Sequence, residues 1–277
     1  MKSAPFEYVR PGSLDDAVAQ LSQAGGIAVA VGGGQSLMPL LALRVAPADM
    51  LVDVGRLGEL KAVEETADRV RLGAAVTHAM IEDGKVPDPS GGLMRRVATN
   101  IAYRAVRNHG TIGGSLALAD PAADWPTVML ALDATLHISG AGGPRTERMD
   151  DFLQGAYSTA LQPGEIVTGI EIPRLGGSAR TAYVKVVRKS GAFANAIACV
   201  VVPGDGKAPR VVLGGTTARP YLLPAVSAHI AAQRDGDADT LSLRITEDLA
   251  AADVDADAYQ RRLYQSTILR AVREAFA

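Results

Sequence analysis

Cysteine is almost missing from this chain: Cys199 is the single thiol in 277 residues. That excludes a disulfide framework and any self-contained iron–sulfur cluster, which needs about four thiolates. An excess of basic charge is missing too. The net charge is −2, whereas a nucleic-acid partner calls for a basic stripe. No stretch approaches the ~18 apolar residues of a membrane span. The opening MKSAPFEYVRP has no apolar signal core, so the expected compartment is cytoplasmic. The four histidines (His78, His109, His137 and His229) show no metal-ligand spacing, and no nucleophile stands beside a base. Cys199, inside the apolar run AIACVVV, reads as a buried thiol.

What remains is an ordinary globular composition, 48% hydrophobic and 21% charged, long enough for two domains or one with an appendage. RPGSLDDAVAQLSQAGG reads as a helix with Ser13 as N-cap, Asp16 at the capping-box position and Gly25-Gly26 as its stop. IAVAVGGG reads as a short buried strand, LMPLLALRV as a helix interrupted by Pro39, and DMLVDVG as another strand. The first ~55 residues thus alternate as in a small α/β unit. LKAVEETADRVRLGAAVT predicts a hairpin about the turn ETAD. Helices are expected over His78–Asp83, Leu93–Ala102 and Trp125–Leu132, with strands at ATLHISG and EIVTGIEIP. Glycine and polarity rise at Pro173–Arg180, marking a boundary. Antiparallel strands then give way to a helical tail from Leu222.

Two glycine loops carry the chemistry. The first is Gly32-Gly33-Gly34-Gln35-Ser36; the second is Thr111-Ile112-Gly113-Gly114-Ser115. The G-x-G-x-x-G dinucleotide fingerprint fails because Leu37 replaces its third glycine, and no Lys-Ser/Thr pair closes a P-loop. Either loop alone reads equally as a tight turn or as an anion nest of bare amides. Two such loops about 80 residues apart point to one pyrophosphate held between two subdomains.

GGGQSLMPLL and RNHGTIGGSLALADPAADWPTVMLALDA resemble the two cofactor loops of the flavin-bearing subunits of molybdenum hydroxylases, the xanthine dehydrogenase and carbon monoxide dehydrogenase family. The likeness continues through FLQGAYSTALQPGEIVTGIEIP and AYVKVVRKSGAFANAIACVVV, covering nearly the whole chain. It implies an α+β fold: a two-subdomain FAD-binding module of the vanillyl-alcohol oxidase type (1–55 and 56–175), then a small C-terminal α/β domain of antiparallel sheet plus helices (176–277).

By this resemblance Gly32, Gly33, Gly34, Gln35, Ser36 and Leu37, with Thr111, Ile112, Gly113, Gly114 and Ser115, cradle the FAD pyrophosphate. Asp124 accepts from the flavin's ribityl hydroxyls, against the plain reading of a helix N-cap ahead of WPTVMLALDA. Lys185 matches a lysine at the flavin's pyrimidine edge, against the plain reading of a solvated strand lysine. Phe193 falls where a tyrosine covers the ring in carbon monoxide dehydrogenase-like sequences, and Ala192 replaces an aspartate before it. Ala74, Ala75 and Thr77 resemble a segment along the cofactor. Ile166 packs near the adenine or is plain core. FAD is expected to be noncovalent, although His78 and His109 flank the loops.

The function implied is an FAD-binding electron-transfer subunit of a heterotrimeric-type molybdenum hydroxylase. Substrate oxidation would fall to a large molybdopterin subunit, [2Fe–2S] clusters to a small one, and the flavin would serve an external electron acceptor. The alternative is a self-sufficient flavin oxidoreductase of the same fold. Subunits of the hydroxybenzoyl-CoA reductase type carry an extra four-cysteine cluster loop, which one cysteine excludes.

Overall fold

A computed structural model describes residues 2–232 and 237–277. The first unit runs β1 (Glu7–Val9), α1 (Leu14–Gln23), β2 (Ala28–Val31), α2 (Leu37–Ala42) and β3 (Met50–Asp53). Its three strands form a parallel sheet in the order β1-β3-β2. The short strand β1 is absent from the sequence expectation, because only its pairing with β3 makes EYV a strand. Ser13 does cap α1, its Oγ accepting from the Asp16 amide at 3.1 Å. The capping box stays half-made: the Asp16 carboxylate accepts from Gly12 N–H at 2.9 Å rather than from the cap's own amide. Pro39 does not interrupt α2. It is the helix's third residue, where a missing N–H costs nothing because the first turn's amides have no intrahelical partner. β2 ends in the first glycine loop, so the parallel sheet aims that loop outward from its C-terminal edge.

The second unit begins with β4 (Val63–Glu65) and β5 (Arg69–Gly73), the hairpin about ETAD. Helices α3 (His78–Glu82), α4 (Leu93–Thr99), α5 (Arg104–Arg107), α6 (Ile112–Leu118) and α7 (Asp124–Ala131) follow. Next come β6 (Thr135–Gly140), β7 (Gly143–Arg148), α8 (Met149–Phe152), β8 (Leu153–Gly155), β9 (Ser158–Thr159) and β10 (Ile166–Pro173). An antiparallel sheet of order β4-β5-β10-β6-β7 results, with the long β10 at its centre. All eight residues of α7 are buried, in keeping with its apolar sequence on every side.

The third unit holds β11 (Arg180–Val186), β12 (Ala196–Val202), β13 (Arg210–Gly214) and β14 (Tyr221–Leu222), an antiparallel sheet in chain order. Helices α9 (Pro224–Ala232), α10 (Ala238–Ala251) and α11 (Ala258–Phe276) follow; the part of the helical tail at 233–236 lies outside the described residues. This sheet is covered on both faces. Ala196, Ala198 and Val200 join the core under the C-terminal helices. Ile197, Cys199 and Val201 join the core that contains α7. Double coverage explains why AIACVVV is apolar at every position rather than at alternate ones. Cys199 lies fully buried there, its thiol pushed up to about 12 by burial, so it stays protonated. The same sheet presents Lys185 towards α7, and so completes the site below.

Candidate functional site

Where the three units meet, a cleft opens in two lobes. The first, about 430 Å³, is lined by Gly32 to Leu37, Thr111, Gly114, Ser115, Asp124, Lys185 and Phe193. The second, about 390 Å³, is lined by Ala74, Ala75, Gly113, Ile166 and the Leu161–Val167 segment. Gly32, Thr111, Gly114 and Ala117 line both, so the lobes join at the glycine loops. Sixteen of the eighteen residues that the resemblance assigns to the cofactor therefore border one elongated cavity. Thr77 and Ile112 do not. Thr77 caps α3, its Oγ1 accepting from Met80 N–H at 3.2 Å, and forms a bridge with Thr111; Ile112 is fully buried core.

The two loops present different surfaces. Among the described residues, none of the six amides from Gly32 to Leu37 donates to an acceptor within the chain. Six unclaimed N–H groups leading into the first residue of α2 are the donor set an anion needs. In the second loop four of the five amides are spent, that of Thr111 being the exception. Ile112 N–H donates to Val76 O, Gly113 N–H to Ala74 O and Ser115 N–H to Thr111 O. Gly114 N–H donates to Thr111 Oγ1 at 3.0 Å. That loop offers the cleft hydroxyls, a bare Gly114 surface and at most the one free amide of Thr111.

The glycines also serve the contact between loops. A Cβ on Gly33 would overlap the His109 carbonyl oxygen, and one on Gly32 would sit 2.9 Å from Thr111 Oγ1. A Cβ on Gly113 would strike Ala74. Only Gly114 is exposed towards the cleft with one side-chain neighbour, Thr111 Oγ1 at 2.8 Å. Bare backbone is thus required first by packing of loop on loop. His109 lines neither lobe; its carbonyl packs against Gly33.

Asp124 is the first residue of α7 rather than its cap; Ala123 holds the cap position. Its Oδ1 lies 2.8 Å from Lys185 Nζ and also accepts from the Tyr183 hydroxyl. Its Oδ2 accepts from the same Nζ at 3.0 Å. Both side chains of the ion pair are under one-tenth exposed, so Lys185 is no solvated strand lysine. Burial pushes the Asp124 carboxyl upward, against Lys185 and Tyr183, which favour its charged form. Burial also raises the Tyr183 phenol well above its usual range, so it acts as a neutral donor. The pair brings no net charge to the cleft, and Lys185 is not the free cation that its position alone implies. One lone pair on Oδ2 stays open to a ligand's donor.

Tyr183 went unremarked in the sequence, although a signal was there: two residues before Lys185, it shares that lysine's face of β11. Phe193 stands at the mouth of the first lobe, 64% exposed. Behind the loops, Arg107 grips Glu82 with two hydrogen bonds of 2.8 Å and donates to Ile101 O at 2.9 Å. This fork fixes the backbone of Ile101 and Ala102, both of which line the first lobe. An extended cavity with a free-amide anion cradle at its waist fits a dinucleotide such as FAD.

Comparison with known proteins agrees. Residues 4–175 match the family described as FAD binding domain in molybdopterin dehydrogenase. The glyceraldehyde dehydrogenase medium chain of Sulfolobus acidocaldarius is 35% identical over 235 residues, 84% of this chain and 83% of its own. The carbon monoxide dehydrogenase medium chain of Afipia carboxidovorans is 39% identical over 206 residues, 73% of this chain and 70% of its own. Among solved structures, reconstituted CO dehydrogenase from Oligotropha carboxidovorans superposes with a TM-score of 0.90 at 32% identity, covering 99% of both chains. This chain belongs to the FAD-binding medium subunits of the molybdopterin dehydrogenase family, and is an oxidoreductase component.

Proposed function

We propose that this chain holds one FAD noncovalently and passes electrons from the [2Fe–2S] clusters of a small partner subunit to an external acceptor. Substrate oxidation then belongs to a large molybdopterin subunit. The carrying observation is the cradle of six unclaimed amides at the waist of a two-lobed cleft. FAD supplies reversible one- and two-electron chemistry when bound.

The chain's own residues bind and orient. In this reading the first loop's amides donate hydrogen bonds to the pyrophosphate oxygens. Asp124, fixed by Lys185 and Tyr183, accepts from a ribityl hydroxyl through its open lone pair. Phe193 covers the ring from the mouth of the cleft as an apolar shield. The two relatives are named for glyceraldehyde and for carbon monoxide. That this chain resembles medium chains of enzymes named for such unlike molecules supports the reading that substrate choice lies on another subunit.

Acid precipitation of the yellow protein tests the reading. FAD should be released to the supernatant. Colour retained in the pellet means a covalent flavin, and a colourless protein indifferent to added FAD removes the proposal. The isolated chain should leave the organic substrate untouched until both partner subunits are added.

A further inference from the structure

His78 opens α3 on the wall of the first lobe and is only 6% exposed. Its backbone N–H donates to Gly110 O at 2.9 Å, next to the Ile112 N–H bond to Val76 O. These bonds tie its segment to the second glycine loop. Its ring is held just as firmly. Trp125 Nε1 donates to His78 Nδ1 at 3.0 Å inside the core. An indole N–H can only donate, so Nδ1 must be unprotonated. A neutral imidazole then carries its one proton on Nε2. Burial, helped by the nearby Arg107 guanidinium, pulls the imidazole down to about 4, so the ring is neutral near pH 7.

The Nε2 edge is left open by a glycine. A Cβ on Gly110 would come within 2.8 Å of Nε2, and Gly110 lines the same lobe. Among the described residues no acceptor takes the Nε2 proton. Nε2 is not one of the enclosed side-chain atoms lacking a partner, so on a residue otherwise almost buried its free edge is accessible from the lobe that His78 lines, where it can meet an acceptor.

We infer that His78 is a ligand-binding residue: its Nε2–H, locked in that tautomer by Trp125, donates to an oxygen acceptor of the dinucleotide in the cleft. The inference rests on the FAD reading above. The donor is uncharged and of fixed orientation, so it adds direction without disturbing the neutral Asp124–Lys185 pair on the same wall. Trp125 is a positioning residue, acting through the imidazole.

The test uses the full chain with ¹⁵N-labelled histidine and FAD as the probe. Long-range ¹H–¹⁵N spectra of the flavin-free protein should show Nδ1 bare and Nε2 protonated, the signal being assigned by its loss in His78→Phe. FAD should move the Nε2 signals and leave Nδ1 bare. His78→Phe, which keeps a ring but no donor, should weaken FAD binding about three- to tenfold. Trp125→Phe should let the second tautomer appear. A protonated Nδ1 in the wild type, or Nε2 signals unmoved by bound FAD, would overturn the proposal while the FAD reading stands. A wild type that binds no FAD overturns the reading beneath it, and the proposal with it. The tautomer and FAD-shift measurements are made on the wild type, so a variant that fails to fold leaves the question decidable.

Discussion

The two glycine loops look alike as strings and behave as opposites. The first leaves its six amides without an acceptor in the chain, while the second spends four of its five on Val76, Ala74 and its own Thr111. Glycine serves different ends in each. Gly33 is bare because the His109 carbonyl presses against it; Gly114 is bare on the side that faces the cleft. A glycine-rich loop therefore identifies a place where backbone comes close to something, without saying whether that something is ligand or protein.

Gly33→Ala should break the contrast most severely. Its methyl would overlap a backbone carbonyl that cannot swing aside, so the loops must part. Overpacking of this kind costs about 3 kcal/mol or more, and it should appear in denaturant unfolding of the flavin-free protein. FAD affinity should fall with it. A variant of wild-type stability that had lost only FAD binding would show that Gly33 serves the ligand and not the contact between loops.

The second loop's backing gives the next effect. His78 titrates at about 4 in the folded chain, against 6.5 when unperturbed. Between those values the unfolded chain binds the extra proton, so stability is complete above pH 6.5 and declines as pH falls towards 4. The loss is at most roughly 3 kcal/mol. Denaturant unfolding of the flavin-free wild type and of His78→Phe at pH 7 and pH 4.5 checks it, because the variant should lack this part of the decline. Parallel pH curves would mean the folded imidazole is not held neutral.

Local patterns made much of this molecule legible. Glycine runs, the capped α1, the ETAD hairpin and Asp124 at the head of α7 all lie within short windows of sequence. What stayed hidden depends on partners far along the chain. Trp125 meets His78 across 47 positions, and Tyr183 meets Asp124 across 59. Spacing announces neither contact. Likewise β1 exists through its pairing with β3, some 40 residues away. Lys185 lines the cleft, but its ion pair with Asp124 could not be read from spacing because that partner sits on another unit. The half-made capping box at Asp16 shows the same limit at short range, where residue type allows two hydrogen bonds and geometry selects one.

The smallest change in stability should be the sharpest probe of the contrast. Gly114 is the third residue of α6 and faces the cleft. Replacing a helical glycine with alanine stabilises a helix by up to about 1 kcal/mol. Against that, the new methyl would sit 2.8 Å from Thr111 Oγ1, the oxygen that caps this helix through the Gly114 amide. A displaced cap costs about 1 kcal/mol, so the two terms nearly cancel. Gly114→Ala should thus melt within a few degrees of the wild type. Its affinity for FAD should nevertheless drop, because the methyl occupies surface where the lobes join and shifts a hydroxyl available to a ligand. Unchanged melting with weakened FAD binding, measured by equilibrium dialysis, is the signature of a glycine kept for the ligand. Unchanged affinity would assign the second loop to structure alone, and leave the first loop's amides as the whole of the anion cradle.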